Sequence, residues 1–144
     1  MKEYYCPYCN QKLSFLEGTI IKMLGHLKSD KFEVYTIFYI PGALGQYDAI
    51  IEGNVICKDG VKVDFLCINP KCQKSFTTKY DNDLAEIKMI DDDSHEYVMV
   101  FNRIYGRHST FIVDYKRKEL TGSFGEDKGN YIRDFDRPVN FFGE

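Results

Sequence analysis

Four of the five cysteines fall in two close pairs, Cys6-Pro7-Tyr8-Cys9 and Cys67-Ile68-Asn69-Pro70-Lys71-Cys72. Thiolates are soft ligands, and four of them are what a tetrahedral structural zinc takes. A Cys-x-x-Cys turn holds two sulfurs near enough to share one ion. The second pair has a longer spacing, and Asn69 and Pro70 supply its turn chemistry. Cys6, Cys9, Cys67 and Cys72 are therefore the expected ligands of one structural Zn²⁺, with iron as the rival metal. A closed four-thiolate site has no open position for water, so no hydrolysis is expected there and no catalytic residue is assigned. Cys57 is left over, and its expected role is that of a small buried hydrophobe.

Residues 10 to 66 separate the pairs, so ligation would clasp the two ends of an inserted segment. The arrangement resembles a zinc ribbon, in which two hairpin-borne knuckles face each other, over Tyr4 to Leu16 and Val63 to Thr78. The run from Cys67 to Thr78 also resembles the second knuckle of Ogr/Delta-type phage transcription activators. That resemblance implies contact with nucleic acid or a polymerase. The long insertion and the acidic C-terminal half depart from the short pattern of that family. Cys6-Pro7-Tyr8-Cys9 is similar to the active-site tetrapeptide of glutaredoxins, which implies thiol-disulfide exchange by Cys6 and Cys9. Such a dithiol needs a helix N-terminus or nearby cations to lower the first thiol's pKa. No helix is evident after Cys9, and only five residues precede Cys6.

Other groups carry weaker chemistry. Arg103, Tyr105, Arg107 and His108 form one basic, aromatic turn, and Lys116, Arg117 and Lys118 form another. Set beside Lys71 and Lys74, they could bind phosphates while an aromatic face stacks on a base. Asp91 to Glu96 lacks the spacing of a calcium loop, and a solvated turn is expected. Thr121 to Gly129 lacks the phosphate-loop pattern. His26, His95 and His108 have no catalytic partner at a recognisable spacing. Phe135, Phe141 and Phe142 either dock into a partner or close the chain's own core.

Composition narrows the class. The 144 residues carry a net charge of −3, with +2 in the first eighty and −5 in the rest, so no strong positive excess drives phosphate binding. At 44% hydrophobic, 28% charged and 15% aromatic, the chain is globular in type and favours strands. The start lacks the apolar run of a signal peptide, and no run is long enough for a membrane helix. There is no Asn-x-Ser/Thr site. An odd cysteine count in two close pairs suits a reduced, cytoplasmic setting.

The elements that must position the cysteines follow from periodicity. Tyr4-Tyr5 reads as a strand into the first knuckle and Asn10 to Leu16 as its return. Thr19 to Lys28 carries Ile20, Ile21, Met23, Leu24 and Leu27 at helical spacing, with a pair of strands as the alternative. Phe32 to Ile40 is the strongest strand, apolar on both faces and so a candidate for a central position. Ala49 to Lys58 and Val61 to Cys67 read as a hairpin about Asp59-Gly60 that delivers Cys67. Ser75 to Tyr80, Leu84 to Ile90, Tyr97 to Ile104 and Ser109 to Tyr115 are the remaining strands. Thr121 to Asn130 reads as loop, Tyr131 to Phe135 as a last strand and Phe141 to Glu144 as extended.

The expected fold is mainly β: one domain, with a zinc-ribbon-like corner across residues 1–80 joined to an antiparallel meander and tail across 81–144, and at most one or two short helices. The expected function is a non-enzymatic accessory or regulatory module that binds another protein. The alternatives are a nucleic-acid-binding, transcription-related ribbon and a thiol-disulfide redox protein.

Overall fold

Alternation of buried and less buried side chains, the signature of period two, marks Glu3–Tyr5, Ile20–Lys28 and Asp64–Leu66 within a β-rich structure. The computed structural model describes residues 2–53 and 55–143. It is 41% strand and 7% helical, in antiparallel sheets with no closed barrel among the described residues. The strands are β1 (Glu3–Tyr5), β2 (Ser14–Phe15), β3 (Ile20–Lys28), β4 (Glu33–Pro41), β5 (Ile50–Ile51), β6 (Asp64–Leu66), β7 (Leu84–Ile90), β8 (Glu96–Asn102), β9 (Thr110–Asp114) and β10 (Glu119–Phe124). One sheet has the order β1-β7-β8-β9-β10. The other has the order β2-β3-β4-β5, with β6 also paired to β3.

The inner faces of the two sheets share one core. Ile21, Met23, Leu27, Phe38 and Phe65 of the second sheet meet Tyr4, Ile87, Met89, Met99, Phe101 and Ile112 of the first. The alternate residues of the first sheet point the other way. Leu84, Val98, Val100, Phe111 and Val113 form a second core with Tyr131 and Phe141 from the C-terminal segment. The first sheet is therefore covered on both faces, which is why β9 is buried throughout. Phe135, Phe142 and Ile132 pack on that second core, so the terminal aromatics close the chain's own interior.

Several segments differ from the sequence reading. Ile20–Lys28 is a strand, not a helix: Ile21, Met23, Gly25 and Leu27 turn inward and Ile20, Lys22, Leu24 and His26 outward. Gly25 has a tertiary reason, because an added Cβ would stand 2.3 Å from the Phe38 ring. Asp59-Gly60 does turn the chain, with Val61 N–H bonded to Lys58 O at 3.2 Å, but among the described residues its flanks do not pair with each other. β5 pairs with β4 and β6 with β3. Val61 and Val63 instead exchange backbone bonds with Tyr105 and Arg103 of the first sheet's end. Ser75 to Tyr80 makes only isolated bridges, at Ser75 to Leu66 and Thr77 to Ala85. The stretch after Leu120 continues as β10 across a bulge. Lys128–Asn130, Ile132–Phe135 and Phe141–Gly143 are 3-10 turns where a loop, a strand and an extended end are expected.

Candidate metal centre

The first knuckle grows out of β1. Cys6 N–H bonds Gln11 O at 2.9 Å, Asn10 N–H bonds Cys6 O at 3.0 Å, and Asn10 takes a left-handed φ of 65° that reverses the chain toward β2. The second grows out of β6. Cys67 N–H bonds Lys74 O at 3.1 Å and Cys72 N–H bonds Asn69 O at 2.9 Å. The Asn69 side chain accepts from Lys71 N–H at 3.0 Å, the turn chemistry that asparagine offers. Each knuckle is thus held open by its own backbone bonds.

The two knuckles face each other. Cys6, Cys9, Cys67 and Cys72 bring their sulfurs within 4.8 Å of one another. Cys6 Sγ lies 3.9 Å from Cys72 Sγ, and Cys9 Sγ lies 3.6 Å from Cys67 Sγ. A zinc–sulfur bond of roughly 2.3 Å puts the corners of a tetrahedron about 3.8 Å apart. The donor set and spacing therefore fit a tetrahedral ion. Cys6 and Cys67 are buried, while Cys9 is exposed. Burial pushes the Cys6 thiol up, and Cys67 further, with neighbouring thiols adding to the effect at Cys67. At Cys9, burial raises the pKa, but the Gln11 N–H and the adjacent thiols outweigh it and bring it to about 7. Tyr8 N–H points at Cys6 Sγ at 3.4 Å and Asn69 Nδ2 at Cys9 Sγ at 3.8 Å, the kind of donors that steady a thiolate. Lys74 Nζ lies 5.2 Å above the Tyr8 ring and ties the knuckles together from outside.

A glutaredoxin-like dithiol needs a helix after its second cysteine. Here the chain turns back through Asn10 to β2 instead, and Cys6, the first thiol, is buried. Cys57 is half-buried against the shared core and lies outside the four-sulfur cluster.

Of the residues considered for nucleic acid, Arg103, Tyr105, Arg107 and His108 line one cavity, while Lys116 and Arg117 lie elsewhere. Arg103 is 8% exposed and gives Nε to Val63 O at 2.9 Å and Nη1 to Asn82 O at 2.5 Å. Arg107 reaches Tyr131 Oη at 2.7 Å and Asp83 at 3.6 Å. Its neighbour His108 stacks on Tyr47 and pairs with Glu126 at 2.9 Å. Tyr105 is partly buried against the core. Lys116 and Arg117 sit in the β9–β10 turn, at the opposite end of β9 from Arg103 to His108. Of the other histidines, His26 stacks on Tyr35 beside Glu33, and His95 meets Asp114 at 2.6 Å. The acidic run is a turn in which Asp91 accepts from the backbone of Asp93 and His95.

Two features have no sequence motif to announce them. One is an aromatic and aliphatic surface on the outer face of the second sheet. The other is a cavity of about 360 Å³ between the sheets. The only hint of the first is the double-faced apolar pattern of β4. Comparison with protein-family models, curated proteins and solved structures finds no match, so the ribbon likeness rests on the two knuckles alone. No helix among the described residues is long and apolar enough to cross a membrane.

Proposed function

We propose that this chain is a non-enzymatic interaction module, stapled by one structural zinc, that binds another protein on the outer face of its second sheet. The observation that carries the reading is that face. Leu24 sits between Ile37 and Leu66 in the register, His26 beside Tyr35, Lys22 beside Tyr39, and Tyr39 beside Ile50. Phe15 and Ile20 extend the same surface. None of these apolar residues belongs to either core, and Tyr35 and Ile50 are 54% and 69% exposed. A contiguous apolar surface on a β-sheet marks an interaction site, and aromatic residues are the usual anchors. This is where the doubly apolar pattern of β4 leads: one face enters the core and the other remains for a partner.

The partner's chemistry follows from the cations on that face. Lys22 and Lys28 make no ion pair among the described residues, whereas the carboxylates nearby are engaged, Glu33 by His26, Glu52 by the Tyr39 hydroxyl and Asp64 by the Ser75 and Thr77 hydroxyls. A matching surface would be apolar with carboxylates at its rim. Four thiols suit a reducing, cytoplasmic setting, and zinc is favoured over iron as the redox-inert ion of an all-thiolate structural site.

Capture on immobilised protein, followed by reconstitution with the purified candidate, tests the reading. The Tyr35→Asp/Ile50→Asp protein should keep its stability within about 0.5 kcal/mol per site, as exposed positions do, and bind the reconstituted partner at least tenfold more weakly. Lys22→Glu should weaken it as well. Unchanged affinity in both variants would overturn the proposal. So would concentration-dependent dimerisation that the double variant abolishes, since the face would then belong to a second copy.

A further inference from the structure

The cavity of about 360 Å³ opens between the sheets at the end where the β4–β5 and β8–β9 loops meet. Its size lies at the lower end of the range of roughly 300–1,000 Å³ typical of small-molecule pockets. Its floor is apolar: Met23, Phe38, Phe65, Met99, Phe101 and Ile104 contribute to it. Leu44, on the loop after β4, covers one side. At the mouth, Tyr47 stacks on the His108 ring at 4.4 Å and bonds Thr110 Oγ1 at 3.1 Å, which fixes the rim.

Two arginines line this space, and Arg107 is committed to the Tyr131 hydroxyl and the Asp83 carboxylate, which leaves Arg103. Arg103 is 8% exposed, yet no carboxylate among the described residues lies in salt-bridge range of it. Its Nε and Nη1 are held by neutral oxygens of Val63 and Asn82, and no hydrogen bond from Nη2 occurs among the described residues. Burial lowers the guanidinium's pKa more than the distant Asp64 and Asp83 carboxylates restore it. A buried charge is ordinarily paired, and a guanidinium fixed by two anchors is a preorganised donor for an oxyanion. Asp48 and Asp59 also line the cavity, so an anion of high charge would be repelled.

We propose that this cavity binds a small monocarboxylate with an apolar body, its carboxylate on Arg103 and its body between the sheets. Neutral polar groups alone would suit an alcohol equally well. The cation selects the acid, and the apolar floor selects against short, hydrated ones.

Calorimetric titration of the full chain with octanoate and with 1-octanol tests this. Octanoate should bind one to one and at least tenfold more tightly than the alcohol. Leu44→Trp, which fills the cavity from a loop, should lose octanoate binding at least tenfold while leaving the melting temperature unchanged. Arg103→Gln should erase the preference for the acid. Because Arg103 also ties backbone, that variant is read only beside its circular dichroism, and Leu44→Trp carries the test alone where Arg103→Gln fails to fold. Equal binding of acid and alcohol by the unmodified chain, no octanoate binding at all, or full binding by Leu44→Trp would each overturn the proposal.

Discussion

Asp134 has a carboxyl oxygen shielded from solvent with no hydrogen-bond partner among the described residues. Burial, and then the neighbouring Asp81 carboxyl, raise its pKa from the ordinary carboxylate value of 3.8 to about 7. Between those values the native chain holds a proton that the unfolded chain has released. Its contribution to stability is therefore full below the lower value and is lost as pH rises toward about 7. Asp134→Asn keeps the shape and can donate its amide N–H to Asp81 without taking up a proton from solvent. Urea unfolding from pH 5.5 to 8 should show a flatter profile and a gain of about 1 kcal/mol at pH 8, after discounting for partial solvent screening. A loss of stability at pH 8 would refute this reading of the pair. Nothing in the spacing of Asp81 and Asp134 announces them, because their proximity is made by the C-terminal turns. The cysteines are legible for the opposite reason: each knuckle is local, and only the union of the two depends on the fold.

β3 shows where element-level reading runs short. Ile20, Ile21, Met23, Leu24 and Leu27 fit a helical face, and the inward set Ile21, Met23 and Leu27 fits a strand equally well. Gly25 decides between them through a residue thirteen positions away. The Phe38 ring occupies the space beside its Cα, an approach that a side chain would forbid. Gly25→Ala should cost roughly 1–3 kcal/mol, as overpacking of a filled core does. Chemical denaturation reads this directly, and a change under about 0.5 kcal/mol would mean that Phe38 moves aside freely. β7, β8 and β9 were plain in the sequence because long apolar runs bounded by polar turns leave little choice. β10 was not, since Thr121, Gly122 and Ser123 are weakly apolar and a bulge interrupts the register between Leu120 and Gly122. The Asp59-Gly60 turn is legible as a turn, but the partners of its two flanks are not. Its first arm pairs with β4, the strand just before it, and its second is claimed by β3 and by Arg103 and Tyr105, all remote in sequence.

At the scale of the molecule, the chain passes from one sheet to the other at two places. β1 leads through the first knuckle to β2, and β6 leads through the second knuckle to Ser75–Thr77 and β7. The whole second sheet, β2 to β6, is thus inserted between the two cysteine pairs, and the four sulfurs meet where it enters and leaves. An ion there would tie the two ends of the insertion to β1 of the first sheet, holding the exposed face and the inter-sheet cavity in fixed relation. Buried apolar area already joins the sheets, so metal removal should loosen this corner before it unfolds the molecule. The most direct measurement is the metal content of purified protein by elemental analysis, alongside the Cys67→Ser variant. The account predicts one zinc per chain, none in Cys67→Ser, and a fall of several kcal/mol in unfolding free energy with the metal's loss. A chain without stoichiometric metal, or metal retained by Cys67→Ser, would contradict it.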